Sequence, residues 1–287
     1  MAYSSGGLIS ATDFNTLTNN TNTIMGVGSG QSGYGQTVTA LANLTTSTTV
    51  TAAQWSGFLT ILNNALMHQS GAGAAIAGTN FTAGSVITYF AAVNTATTTI
   101  STNKALYTAN GATVVGSGLA TTITVATSWT RTVTFASGDA ARYFFNAGGH
   151  INWVISATNS NGTLHSGDIA TGWTSIANGS TYTNATGSTN SIGYWQLTTT
   201  NQTVSSWSAT SYYAYNSDSG SVAVKASAAN ASGNGDNGAV ITYTFTQAIA
   251  AALPATQAVS VAFSVHFDIV KPESTYLTDS WGMPTIA

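Results

Sequence analysis

Eight carboxylates and four imidazoles are the side chains of this 287-residue sequence suited to proton transfer near neutral pH. Glycoside hydrolysis, a reaction commonly run by paired carboxylates, needs two of them about 5–10 Å apart. Here a single glutamate, Glu273, and seven aspartates (Asp13, Asp139, Asp168, Asp218, Asp236, Asp268 and Asp279) are scattered through the chain. Most fall where turns or helix caps are expected, which is the ordinary use of Asp. The histidines, His68, His150, His165 and His266, form no two-His motif at metal spacing. His68 ends a helical stretch, where a hydrogen bond to the last carbonyls accounts for it. His266 lies on the wetter face of a long strand and is read as a contact with a neighbouring strand or subunit. Residues 233–238, GNGDNG, lack the alternating acidic ligands and closing Glu of a calcium loop, and a type I′-like turn explains them. The glycines from Gly26 to Gly35 are not followed by GK[ST], so they form no phosphate loop. Zero Cys removes thiolate chemistry, disulfides and Cys-based zinc. The expectation is a non-enzyme with no cofactor and no metal.

That scarcity is general. Charged residues are 5% of the chain, against about 25% in ordinary domains. Thr, Ser, Asn and Gly supply the polarity instead, while 43% hydrophobic and 10% aromatic content suffices for a real core. A formal net charge of −3 argues against nucleic acid, which requires clustered Lys and Arg. No apolar run approaches the ~18–20 residues of a membrane span. Trypsin is offered only Lys104, Arg131, Arg142, Lys225 and Lys271. The opening MAYSSGGLIS lacks the basic and apolar regions of a signal peptide, so synthesis in a bacterial cytoplasm and release by lysis are expected.

Two kinds of element must position these residues. Up to about residue 110 the pattern is helical. Ser10 with Asp13 and Thr51 with Gln54 have the spacing of capping boxes, the second being the fuller one. Phe14 and Leu17 follow the first cap. Trp55, Phe58, Leu59, Leu62 and Leu66 follow the second at i, i+3, i+4, i+7 and i+11. These seven side chains are the candidates for oligomerisation or attachment. A third segment with Val86, Phe90, Val93 and Ile100 is weaker, because Thr97 to Thr99 favour strand. From about residue 113 the period becomes two. Strands are expected around 129–135, 151–155, 194–197, 212–215, 222–224, 241–245 and 259–269, the last with Val259, Val261, Phe263, Val265, Phe267 and Ile269 on its buried face. Asn/Gly/Ser turns separate them. Asp139 is expected to cap a short helical turn carrying Tyr143, Phe144 and Phe145. Gly148 and Gly149 then reverse the chain at a structural corner. The fold class that follows is mainly β with an N-terminal α-helical region: an antiparallel β-sandwich, jelly-roll or Ig-like, preceded by two or three short amphipathic helices.

The aromatics Trp173, Tyr194, Trp195, Trp207, Tyr212 and Tyr213 are the candidates for a glycan contact, since exposed rings stack on sugars. Burial in a sheet core is the competing reading of the same rings.

Three segments resemble virion structural proteins of tailed bacteriophages, especially those of marine and cyanobacterial phages. They are GVGSGQSGYGQ with VTAAQWSGFL and NNALMHQSG within residues 26–71, ARYFFNAGGHINW at 141–153, and IVKPESTYLTDSWGMPTIA at 269–287. The resemblance implies a tail, baseplate or fibre component located in the virion. It implies as partners other copies of itself, in a trimer or hexamer, and other tail or baseplate proteins. Three regions are expected: 1–110 for helical attachment or oligomerisation, 111–270 as the β-sandwich, and 271–287 as an extended tail docking on a neighbouring surface. The alternative function is a receptor-binding protein recognising host surface glycan through the aromatic-rich β domain. A surface-layer or pilus-type adhesin comes third and a depolymerising enzyme last.

Overall fold

A computed structural model describes residues 9–45, 47–73, 90–177, 182–187, 192–209, 217–228, 237–250 and 257–287. Tyr212, Tyr213, Val86, most of the 233–238 turn and the first eight residues lie outside them.

Helix α1 (Ala11–Met25) starts where Ser10 accepts a hydrogen bond from the Asp13 amide at 3.2 Å. Helix α2 (Ala52–Ser70) carries the full capping box: the Gln54 amide donates to Thr51 Oγ1 and the Thr51 amide to Gln54 Oε1. Helix α3 (Phe90–Thr102) forms despite its threonines. The hydroxyls of Thr95, Thr98, Thr99 and Thr102 each donate to the carbonyl four residues back, while Val93, Ala96 and Ile100 face the core.

The rest of the chain runs β1 (Asn110–Ile123), β2 (Thr127–Thr134), α4 (Gly138–Asn146), β3 (His150–Asn159), α5 (Leu164–Ala177), β4 (Tyr182–Thr183), β5 (Gln202–Ser208), β6 (Ser219–Ala226), β7 (Val240–Ala248), β8 (Val261–Pro272) and β9 (Thr285–Ile286). The strands make two antiparallel sheets, ordered β1-β8-β3-β4 and β5-β6-β7-β2-β9. Rings from one sheet meet rings from the other. Trp129 stacks on Phe263 at 5.2 Å, and Tyr243 packs against Phe267 at 4.9 Å and Trp153 at 5.5 Å. The alternation expected near the C-terminus is present in β8, where Val261, Phe263, Val265, Phe267 and Ile269 are buried.

Strands β1 and β5 add to those expected, and two further elements differ in kind from the sequence reading. Residues 194–196 form a 3-10 turn instead of a strand, with Tyr194 stacked on Phe145 at 4.5 Å. Helix α5 was not expected at all. Its Ile169, Trp173 and Ile176 have helical spacing, but Gly167, Gly172 and the Ser/Thr around them dilute the signal. Gly172 is there for packing, because a Cβ would collide with the Trp207 indole.

The core draws on all three of the expected regions. One cluster of buried residues includes Phe14 and Trp55 from the helices, Phe263 from β8, and Leu277 and Trp281 from the tail. Trp281 is 2% exposed within its own chain, and β9 pairs with β2. Likewise Phe14, Leu17, Trp55, Phe58, Leu59, Leu62 and Leu66 are buried against one another and the rest of the molecule. An amphipathic stripe signals burial, and here three helices of one chain satisfy it without a second copy.

Candidate functional site

The segments at 26–36, 141–153 and 269–287 converge on one joint. After α1, the chain doubles back: the amides of Tyr34, Gly35 and Gln36 donate to the carbonyls of Ile24, Gly26 and Met25 at 2.8–2.9 Å. One side of this loop is held by α4. Arg142 Nη1 donates to Ser32 O at 2.8 Å, and Asn146 Nδ2 to the carbonyls of Gly33 (3.2 Å) and Gly30 (3.3 Å). The Asn146 carbonyl in turn accepts from Trp195 Nε1 at 2.8 Å. The other side is held by the C-terminal segment. Gln36 Nε2 donates to Thr278 O at 2.8 Å, the Thr278 amide donates back to Gln36 Oε1 at 2.7 Å, and Ser280 Oγ donates to Tyr34 O at 2.7 Å. Gly35, at φ +70°, lies where a Cβ would run into the Tyr143 ring and Ser280 Oγ.

The helix α4 cap is Ser137, whose hydroxyl accepts from the Ala140 amide at 3.0 Å. Asp139 therefore does not cap. It accepts from Arg142 Nη2 at 3.0 Å and aims that guanidinium at the loop, with Arg142 also over the Tyr143 ring at 4.7 Å. Phe144 and Phe145 are fully buried at the corner. Of the two glycines there, Gly148 has the positive φ, +94°. A groove of about 580 Å³ runs along the outside of the joint, lined by Val27, Ser29, Asp139, Arg142 and Tyr143 among others.

Beneath the loop lies a polar cluster with no apparent signal in the sequence. His68 Nδ1 is 3.0 Å from Glu273 Oε1, with both side chains almost fully buried. Burial pushes the His68 pKa below its ordinary value, only partly offset by Glu273 and the Ala147 carbonyl. Burial pushes Glu273 up, but hydrogen bonds from His68 and Thr275 outweigh it and hold the carboxyl below its ordinary value. The pair is thus neutral imidazole donating to carboxylate. Tyr34 packs edge-on to His68 at 5.2 Å, accepts from Gln69 Nε2 at 2.8 Å, and donates to Lys104 O at 3.0 Å. Burial raises its pKa far above that of a free phenol.

A second cluster ties α5 to the strand ends. His165 Nε2 is 2.7 Å from Asp218 Oδ2, and its Nδ1 faces Gln257 O at 3.2 Å. Asp218 Oδ1 accepts from the Ala250 amide at 2.6 Å. Asp168 is raised by burial and by the Asp218 charge, against the opposing pull of His165. A cavity of about 320 Å³ borders His165, and among the described residues its wall brings no second ionisable side chain. Both nitrogens of that imidazole face acceptors inside the fold, so the group serves as a staple. His266 and Asp268 make a looser, partly exposed pair at 3.6 Å on β8. Among the described residues no three His, Asp or Glu side chains are grouped to hold a metal, and no helix is long and apolar enough to cross a membrane.

The aromatics proposed for glycan contact are core rings where they can be placed. Trp173 and Tyr194 are fully buried, and Trp195 and Trp207 nearly so. Trp173 Nε1 donates to Gln247 Oε1 at 2.7 Å, so even its polar edge is satisfied inside. Ring area is worth most out of water: helix α5 turns Trp173 inward and covers Trp207, while Tyr194 and Trp195 pack at the end of α4. Comparison with family models, curated proteins and solved structures returns no match for this chain.

Proposed function

We propose that the chain is a non-enzymatic structural protein of a tailed-phage virion, a tail, baseplate or fibre component that assembles as a symmetric homo-oligomer. The observation that carries this reading is the joint. The segments on which the phage resemblance rests are used to lock a loop, a helix and a C-terminal strap together by buried and part-buried hydrogen bonds. Its ionisable groups are engaged with backbone or with one another. Such a joint suits a part that must keep its shape under load. In the same reading the two sheets form a β-sandwich, supported by the ring contacts between them.

The surface fits assembly as well. Facing outward on the five-stranded sheet, Thr130 pairs with Thr244, Thr132 with Thr242, and Ser128 with Thr246. Hydroxyls both donate and accept, so such a face meets another copy without burying charge. The test is imaging of particles that carry tagged copies of the chain. A label at fixed positions on the tail or baseplate supports the reading, and particles without label refute it.

A further inference from the structure

We propose that β1 is an assembly edge, pairing antiparallel with β1 of a second copy across a two-fold axis. This rests on the oligomer reading above and names the contact.

A sheet edge exposes unpaired amides and carbonyls, and monomeric proteins blunt such edges by shortness, charge, proline or cover. The four edges here differ in this respect. The strands β4 and β9 are two residues each, and β5 is seven residues with a bulge after Thr203 and Trp207 packed on α5. Strand β1 is interrupted by bulges after Asn110 and Val115, but it runs fourteen residues, pairs on one side with β8, and has no partner strand on the other among the described residues. Its sequence NGATVVGSGLATTI contains no charge and no proline.

The stretch between its two bulges is open on both faces. Val115 is 70% exposed on the outward face, opposite Asp268. Val114 is opposite the buried Ile269, yet is itself 39% exposed, so β1 extends past the cover of the second sheet. The bulge between Val115 and Gly118 is fixed from the other side, where Arg131 Nη2 donates to Ser117 Oγ at 2.9 Å and Ser117 Oγ to Ile286 O at 3.1 Å.

A second β1 answers each of these features. It satisfies the open backbone, it places valine against valine where the axis passes through Val114 or Val115, and it opposes no charge in any register. The contact is isologous, so it builds a dimer, or a hexamer of dihedral symmetry; a purely cyclic trimer does not contain it.

The absence of cysteine makes the test clean. Single-cysteine variants T113C, V114C and V115C of the full chain are oxidised and run on a denaturing gel. Residues opposed across an antiparallel pair lie about 4.5–5.5 Å apart at Cα, within disulfide reach. The variant nearest the axis gives a covalent dimer, and T246C on the other sheet does not. In parallel, V115K is compared with wild type by light scattering. Lysine there can pair with Asp268 of its own chain, so the fold is kept, whereas two lysines meet at the axis. Self-association is expected to weaken by roughly tenfold or more. Oligomers that survive V115K, with no β1 crosslink, overturn the edge and leave the assembly reading intact. A wild type that stays monomeric at all concentrations overturns both.

Discussion

Glu273 accepts a hydrogen bond from His68 Nδ1 at 3.0 Å, across 205 residues of sequence. One is in the last turn of α2 and the other follows β8, so a single buried contact joins the helices to the C-terminal strap. Breaking a buried pair from one side leaves the other group without compensation. The substitution Glu273→Ala is therefore expected to cost about 1–3 kcal/mol, read by chemical denaturation.

The same pair sets a pH dependence. Unfolded His68 takes up a proton below its ordinary value of 6.5, while the folded, buried ring resists it. Unfolded Glu273 is protonated below 4.5, while the folded carboxylate holds on to lower pH. In both cases the unfolded state binds more protons, so stability is present above these values and falls on acidification. Between pH 7 and 5 the fall belongs to His68 and to the half-buried His150, which burial also lowers. Unfolding free energy measured from pH 7.5 to 4 should show the fall, and His68→Gln should flatten its upper part. An unchanged slope in that variant counts against the neutral imidazole.

Gly35 and Gly162 share a positive φ, +70° and +74°, but differ in surroundings. A Cβ at Gly162 meets nothing within 4 Å, whereas at Gly35 it meets Tyr143 and Ser280. Gly162→Ala should cost about 1–2 kcal/mol for the left-handed backbone alone. Gly35→Ala should cost clearly more, and equal losses would mean that the loop is not wedged against α4 and the tail.

Six of the seven tryptophans are less than 9% exposed, and Trp129 is half-buried. Iodide should therefore quench native fluorescence weakly, with full quenching only after denaturation. Strong native quenching would restore an open aromatic face, the arrangement a glycan platform requires.

All five tryptic sites lie in ordered backbone, and only Lys104 is outside a helix or strand. The native chain should resist trypsin, with first cleavage after Lys104 and further digestion tracking global unfolding. Fast cleavage at Lys225 or Lys271 would show that the sheets open locally.

Much of the local structure was legible in the sequence. Thr51 and Gln54 announced the start of α2, and the strict alternation from Val261 to Ile269 announced β8, because caps and period-two burial depend on near neighbours. Helix α5 was obscured by the two glycines and the small polar residues in its fourteen-residue span, one of the glycines being present only to admit Trp207. The site was less legible. Asp139 beside a helix start has the look of a cap, but Ser137 takes that role and leaves Asp139 to orient Arg142.

The sequence by itself determined the chemical character of the protein: few charges, no thiols, helical periods giving way to strand periods, and hydroxyl-rich faces. These are properties of composition and short-range pattern. The tertiary structure decided where the buried side chains go. It sent the stripe from Trp55 to Leu66 into the chain's own core, buried Trp173 and Trp207, joined His68 to Glu273, and left β1, among the described residues, as a long edge paired on one side only. Hydrophobic periodicity specifies that a face must be buried and is silent on what buries it, since the driving force is non-directional. Long-range packing supplies the partner, and only then can spare surface be told from core.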